Sequence, residues 1–426
     1  MEDQDFLVHL KELSRFKKKI SKRIKRVRRP WLTLEPISVG VESGGAQLVA
    51  ELTGSQLGSY PIPRFIGRQP YNSPVQLPVM QWASVTLTEH HQVKVFGNSN
   101  FLVKNGKAVH PDLYISHRDR VPFELYGGAI MNNKFTQVRL PIGLSLGTIS
   151  RAITLCDQTP FNYAHWMTEV LPKLALISEL PQCENVLILV DAGIGVNQIE
   201  AIRAVLGQRE LIKIPPYENV IVNELLSISP TSYCPHEFRD FHGAQESGFQ
   251  FFFSGEALTR LRDILRHTYK KYDNGRVRKI YIKRTPLWTW NNRNIENIDE
   301  IEDLIDDYGI ETVNVTGMTF AQQAKIFMNA DAIIAPTGAA LANMIFAKPG
   351  CKIVVLSALY DGATYDYFHQ MAHLLGHDLS FVVGPQVGAS KHHMNRDYVI
   401  HAAHLKQALE MTLQPEAIQM RSSSRR

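Results

Sequence analysis

The sequence predicts an α/β protein built on parallel sheets, and three observations carry that prediction. From about residue 150 onward, short continuous apolar runs alternate with amphipathic stretches of helical length. Those runs lack the in/out alternation of a one-sided sheet, so both faces of the strands must be covered. Glycine, proline and capping residues fall at the joints, as strand–helix–strand units require.

At 426 residues and 44% hydrophobic, the chain is long enough for two or three structural units. Its first 30 residues carry eleven Lys and Arg against four acids, a local charge of +7 in a chain whose net charge is +5, so the rest sits near −2. In LVHLKELSRFKKKISKRIKRVRRPW, the residues Leu10, Leu13, Phe16, Ile20, Ile24 and Val27 recur every three or four positions. That spacing predicts a basic amphipathic helix over 1–30, stopped by Pro30. It suits an anionic membrane surface, with the stripe inserted and the cations among the headgroups. A solvated basic arm is the alternative. No aromatic or glycine-rich RNA motif accompanies it, which argues against nucleic acid as a partner.

No apolar run is long enough to span a bilayer, and the N-terminus lacks the apolar core of a signal peptide. Cys156, Cys183, Cys234 and Cys351 show no CxxC spacing, which speaks against a zinc site or a secreted disulfide framework. The expectation is a cytoplasmic protein, peripheral on the inner face of the cell membrane.

Residues 31–150 alternate short β-like runs (QVKVFG, FLVKNG, TQVRLP) with turn residues and read as a mostly β segment. After it come a helix over 162–180, the strand NVLILVD, the helix GIGVNQIEAIRAVLG and the strand LIKIPP. These complete an N-terminal domain over 31–250. The helix SGEALTRLRDILRHTYKKY and the turn DNGR lead into a second α/β domain, 251–385. Its strands are KIYIKR, IETVNV, AIIAP and CKIVVLS. Between them lie the helices NIDEIEDLIDDYG and TFAQQAKIFMNA, the latter opened by a Thr cap, and the loop-plus-helix TGAALANMIFAKPG. A C-terminal helix and a disordered tail fill 386–426.

Chemistry gathers at three places. In AIIAPTGAALANMIF a strand ends and a helix begins, and Gly338, Ala339 and Ala340 would let an anionic ligand approach backbone N–H groups. Close packing of helix on sheet is the competing explanation. Neither GxxxxGK[ST] nor GxGxxG is present, which argues against an NTPase or a nicotinamide enzyme. Upstream, Lys283 and Arg284 stand at a strand's carboxyl end and Arg293 precedes a helix, where cations could neutralise phosphate or could be solvated. In NYAHWMTEVLP, His165 and Glu169 stand four residues apart on one helix face. They could accept a proton from a substrate hydroxyl, or they could be satisfied groups of a core helix. His369, His373 and His377 repeat every four residues, but Gly376 interrupts the helix and no HExxH is completed, so no metal site is expected.

Together, FNYAHWMTEVLPKLALI and PTGAALANMIFAKPGCKIVVL resemble two ordered motifs of glycosyltransferase family 61, over roughly 150–385. The resemblance implies a GT-B fold, two Rossmann-like domains facing a cleft, and transfer with inversion. It implies a nucleotide-sugar donor and a glycan or lipid-linked acceptor in surface polysaccharide synthesis, with no cofactor or metal. It places Arg284, Arg293, Thr337, Gly338, Ala339 and Asn343 on the donor side. Asn162, His165, Trp166 and Glu169 fall on the acceptor-side helix, with Glu169 or His165 as base and Glu169 preferred. Thr337 stands where the family usually has His, which removes a cationic phosphate or ribose partner. Two competing classes remain at this point: a non-catalytic nucleotide-sugar-binding scaffold, and a related transferase of a non-sugar group such as pyruvate.

Overall fold

The computed structural model describes residues 30–58, 60–70, 80–82, 84–111, 130–132, 136–233, 252–285, 293–360, 363, 365–388 and 395–413. The basic helix expected over 1–30 lies outside this set except for Pro30, as does the tail after Leu413. The chain divides into two compact units, 1–58 with 79–268, and 59–78 with 269–426.

The first unit is organised by one large sheet. Its strands are β1 (Val85–Phe96), β2 (Ser145–Thr154), β3 (Leu187–Asp191), β4 (Leu211–Ile214) and β5 (Asn219–Ile228). They lie in the order β4-β3-β2-β5-β1, with the first four parallel and β1 antiparallel to β5. Counted along the chain, the parallel strands run 3-2-1-4; helices join the first three, and only residues 215–218 separate β4 from β5. The β-rich segment is not a separate body. Beyond β1 the same sheet continues through Leu102–Lys104, Lys107–His110 and Trp31–Pro36.

Helices α1 (residues 163–177), α2 (Val196–Leu206) and α3 (Gly255–Thr268) also belong to the first unit, with a short helix at Ile37–Glu42. Leu258, Leu261 and Leu265 bury one face of α3, and Arg260 pairs with Glu179 just past α1 at 2.8 Å. This helix therefore belongs with the first unit, and the division falls after Thr268 instead of at 250.

The second unit alternates β6 (Arg278–Ile282), α4 (Ile298–Asp307), β7 (Glu311–Val313), α5 (Phe320–Phe327), β8 (Ala330–Pro336), β9 (Lys352–Leu359), α6 (Asp366–Leu374) and β10 (Asp378–Val387). The expected Thr cap is present. Thr319 Oγ1 accepts the Gln322 N–H at 3.2 Å, and Gln322 Oε1 accepts the Thr319 N–H at 2.8 Å, a capping box that satisfies two donors. The parallel sheet runs β7-β6-β8-β9-β10, or 2-1-3-4-5 along the chain, with its switch point between β6 and β8. Helix α7 (Ala402–Leu413) buries Leu405, Ala408 and Leu409 in the same core as Ile334, Val354 and Leu356.

Residues 60–70 also join the second unit. Arg64–Ile66 adds a parallel strand beside β10, and His369 Nε2 meets the Pro61 carbonyl at 2.7 Å. Among the described residues, no helix is long and apolar enough to cross a membrane.

Candidate functional site

Two clusters of polar side chains stand past the carboxyl ends of parallel strands, one in each unit. In the first unit the chain leaves β2 through Cys156 and Asp157 and enters α1. The side chain of Asn162 is used for that entry, its Oδ1 accepting the Ala164 N–H at 3.2 Å as an N-cap.

Helix α1 is not the uniform helix its periodicity predicts. It is α-helical over Tyr163–His165 and Leu171–Ile177, with a π turn over Trp166–Val170 in which the Leu171 N–H reaches the Trp166 carbonyl five residues back. The cause is in the sequence. Pro172 has no N–H to offer the carbonyl of Thr168, and its ring crowds that carbonyl, so the helix widens there. Ser232 Oγ donates to the freed Thr168 oxygen at 2.8 Å. Single π turns recur at functional sites, where they re-aim side chains.

On this turn His165 Nδ1 and Glu169 Oε1 are 2.5 Å apart. Glu169 is buried and His165 is partly exposed. Trp166, expected on the acceptor side, is 2% exposed and belongs to the core. Asn162 is half-buried, with its side-chain oxygen engaged in the cap.

Three charged residues that sequence reasoning passed over complete the cluster. Asp157 faces His165, Glu169 and Lys173, and Lys173 Nζ lies 3.9 Å from Asp157 Oδ2. Asp191, at the end of β3, accepts the Asp157 N–H at 2.8 Å with one oxygen and the Asn98 N–H with the other. Burial pushes the Asp157 carboxyl above the usual carboxylate range, with Lys173 pulling it back and Glu169 adding to the rise. Burial pushes Asp191 up much further, despite the two N–H groups aimed at it. The available signal was a lone acid ending an apolar strand (LCD, LILVD) and a lysine four residues after Glu169.

In the second unit Arg284 lies two residues past β6, and its Nη1 donates to the Thr337 carbonyl, just past β8, at 2.9 Å. That bond spans the switch point. Arg293 has a backbone φ of 41°, a left-handed conformation disfavoured for a side chain of this kind, and its buried Nε has no hydrogen-bond partner among the described residues. Burial pulls the Arg284 guanidinium down to about 10, and the nearby Arg293 adds to the fall, partly offset by Tyr398 and Asp397. Burial likewise lowers Arg293. Lys283, by contrast, is paired outward with Glu302 at 2.8 Å.

Thr337 and Gly338 are half-buried and Ala339 is exposed, so this loop is open to a ligand. A Cβ on Gly338 would lie 3.6 Å from Arg284 Nη1, an ordinary contact, so bulk alone does not demand glycine. The helix expected after it is a tighter 3₁₀ helix, Ala339–Phe346. Asn343 is fully buried and donates to Gln323 Oε1 at 2.7 Å, so it braces the loop from beneath instead of facing a ligand. Nor do the spaced histidines converge. His369 and His377 bond the carbonyls of Pro61 and Met344, and among the described residues no group of three His, Cys, Asp or Glu is placed to hold a metal.

The family model of glycosyltransferase 61 matches residues 163–354, a span that opens at α1, ends within β9 and takes in both clusters except for Asp157. No curated protein matches the chain. Residues 163–354 are thus similar to glycosyltransferase family 61, and the π turn, Arg284 and Arg293 lie within that span.

Proposed function

We propose that this protein is an inverting glycosyltransferase that moves a sugar from a nucleotide-sugar donor to a hydroxyl of a glycan or lipid-linked acceptor, in surface polysaccharide synthesis. The observation that carries the reading is the arginine pair. Two half-buried arginines lie near one another past the end of β6, and the Nε of Arg293 has no hydrogen-bond partner among the described residues. Two guanidiniums this close repel unless an anion lies between them, and a diphosphate supplies paired oxygens that suit the guanidinium fork.

Transfer breaks the bond between the anomeric carbon and the diphosphate while the acceptor oxygen bonds the opposite face of that carbon. Arg284 and Arg293 would take up the charge that grows on the leaving diphosphate, and the Thr337–Ala339 loop would bring backbone N–H groups against it. The acceptor hydroxyl loses its proton during the attack, and the His165–Glu169 pair would receive it. Glu169, beside Nδ1, would orient the ring and stabilise the imidazolium that forms when the ring takes that proton. This assigns the base to His165 and the orienting role to Glu169, in the order of their burial. The GT-B plan expected for such an enzyme calls for two Rossmann-like units, and the alternation of parallel strands and helices in the second unit supports that plan.

Calorimetry against UDP, GDP, CMP and dTDP and their sugars tests the reading. One nucleoside diphosphate should bind wild type and fail to bind an Arg284→Ala/Arg293→Ala variant. Absence of binding by all of them would sink the proposal.

A further inference from the structure

A two-residue strand near the end of the chain, Asp397–Tyr398, is tied to both loops of the arginine cluster in the second unit. On one side it pairs antiparallel with the end of β10, Tyr398 opposite Gln386 and Asp397 opposite Val387. Its other side meets the residues that follow Arg293. Asp397 Oδ1 accepts the Asn294 N–H at 2.7 Å, the Tyr398 N–H donates to the Asn294 carbonyl at 2.9 Å, and the Glu296 N–H donates to the Tyr398 carbonyl at 2.9 Å. A little further on, Asn297 brackets Ile400. Its Oδ1 accepts the Ile400 N–H at 3.1 Å, and its Nδ2 donates to the Ile400 carbonyl at 2.8 Å.

The Tyr398 side chain reaches the other loop. It is fully buried, and its hydroxyl donates to the Leu356 carbonyl of β9 at 3.1 Å. That same oxygen accepts the Thr337 N–H at 2.8 Å, and the Thr337 carbonyl accepts from Arg284. The strand is thus bonded to the residue after Arg293 and, through one shared oxygen, to the residue that Arg284 holds.

The φ of 41° at Arg293 gives this lacing a purpose. A left-handed conformation at a residue other than glycine is strained, and it persists only where its neighbours over-determine it. The Asn294 N–H is the first backbone donor after that residue, and a side-chain carboxylate, a stronger acceptor than a neutral carbonyl, takes it.

We propose that Asp397 is a positioning residue for the donor site: by holding the Asn294 N–H it fixes the left-handed turn at Arg293, while Tyr398 keeps the Thr337 loop in register with that turn. This rests on reading Arg284 and Arg293 as the diphosphate site. The family match ends at residue 354, so the site draws on a part of the chain beyond that match.

The test is calorimetry of the full chain with UDP, GDP and dTDP, on variants whose folding is checked by denaturation. Asp397→Ala should weaken the nucleoside diphosphate that wild type binds by about tenfold, the size of one hydrogen bond to a charged group. Asp397→Asn keeps an oxygen for the Asn294 N–H and should bind within about threefold of wild type. These directions separate positioning from charge. The Asp397 carboxylate also acts on the Arg284 guanidinium, and removing an acid beside an anion site would by itself tighten binding in both variants. In an Arg293→Ala background, Asp397→Ala should add little, because the side chain it positions is gone.

Unchanged or tighter binding by folded Asp397→Ala, an equal loss in Asp397→Asn, or a full tenfold loss on top of Arg293→Ala would overturn the proposal. If Asp397→Ala does not fold, Tyr398→Phe carries the test, since it leaves the Leu356 carbonyl its Thr337 partner. That variant should weaken binding about threefold, as for one neutral hydrogen bond, and wild-type affinity there would overturn the proposal equally. A wild-type chain that binds none of the three nucleotides would sink the donor reading and this inference with it. Wild-type binding with unaltered variants would sink the inference alone.

Discussion

Ser232 Oγ donates to the Thr168 carbonyl at 2.8 Å, closing the gap that Pro172 opens in α1 by having no N–H to give. The hydroxyl comes from a short strand more than 60 residues later in the chain, and it holds the π turn on which His165 and Glu169 meet. Ser232→Ala would leave that buried carbonyl unsatisfied. The expected cost is about 1–3 kcal/mol in denaturant unfolding, with a fall in turnover from the displaced pair. Unchanged stability would mean that a water or a neighbour replaces the hydroxyl.

Arg293 separates stability from binding. Arg293→Ala should weaken nucleoside diphosphate binding by about 1.5–3 kcal/mol, as for other hydrogen bonds to charged groups. Because the residue sits at φ 41°, Arg293→Gly should lose binding to the same extent yet unfold at higher denaturant than the Ala variant, by about 1 kcal/mol. Calorimetry and denaturation on the two variants check both halves, and full affinity in either would remove Arg293 from the donor site.

At the base, His165→Asn should lower turnover about 10²–10⁴-fold with donor affinity preserved. Glu169→Gln keeps a partner for Nδ1 but not the charge, so a smaller loss is expected there. If Glu169→Gln proves the more damaging, the roles are reversed and the carboxylate takes the proton.

His90, buried on β1 beside Thr88, governs part of the acid stability. Burial lowers its imidazole to about 4, with Lys104 and His91 adding to the fall. Between that value and the ordinary 6.5 the unfolded chain binds a proton that the folded one refuses, so stability is lost as pH falls through this window. The loss should approach about 3 kcal/mol by pH 4, and His90→Gln should flatten it. An equally steep decline in that variant would assign the effect to other groups.

The basic arm has its own test. Deleting residues 1–30 should release the protein from vesicles containing anionic lipid while nucleotide affinity is kept, since stripe and cations act together at the surface. Equal vesicle binding by both forms would remove the membrane role.

Much of the second unit is legible in the sequence, because strands such as KIYIKR and CKIVVLS are continuous apolar runs and Thr319 announces its own helix. The turn at Pro172 was written there too, but its effect appears only when one asks which carbonyl loses its donor. Strand β5 was missed because Asn223 and Glu224 interrupt its apolar run; the flanking buried positions are what pair it between β2 and β1.

By itself the sequence determined the alternation of elements, the i, i+4 placement of His165 and Glu169, and the arginines near strand ends. Each is a local property, set by backbone periodicity and side-chain chemistry over a few residues. Tertiary structure alone decided that residues 60–70 join a strand more than 300 positions away, where Arg64 meets Asp378 at 2.9 Å. It alone brought Asp157 and Asp191 beneath the helix, turned Trp166 and Asn343 into the core, and set Arg284 against Thr337. Pairing across such separations depends on how whole sheets bury their faces, and a charge acquires its environment only once those sheets have closed around it.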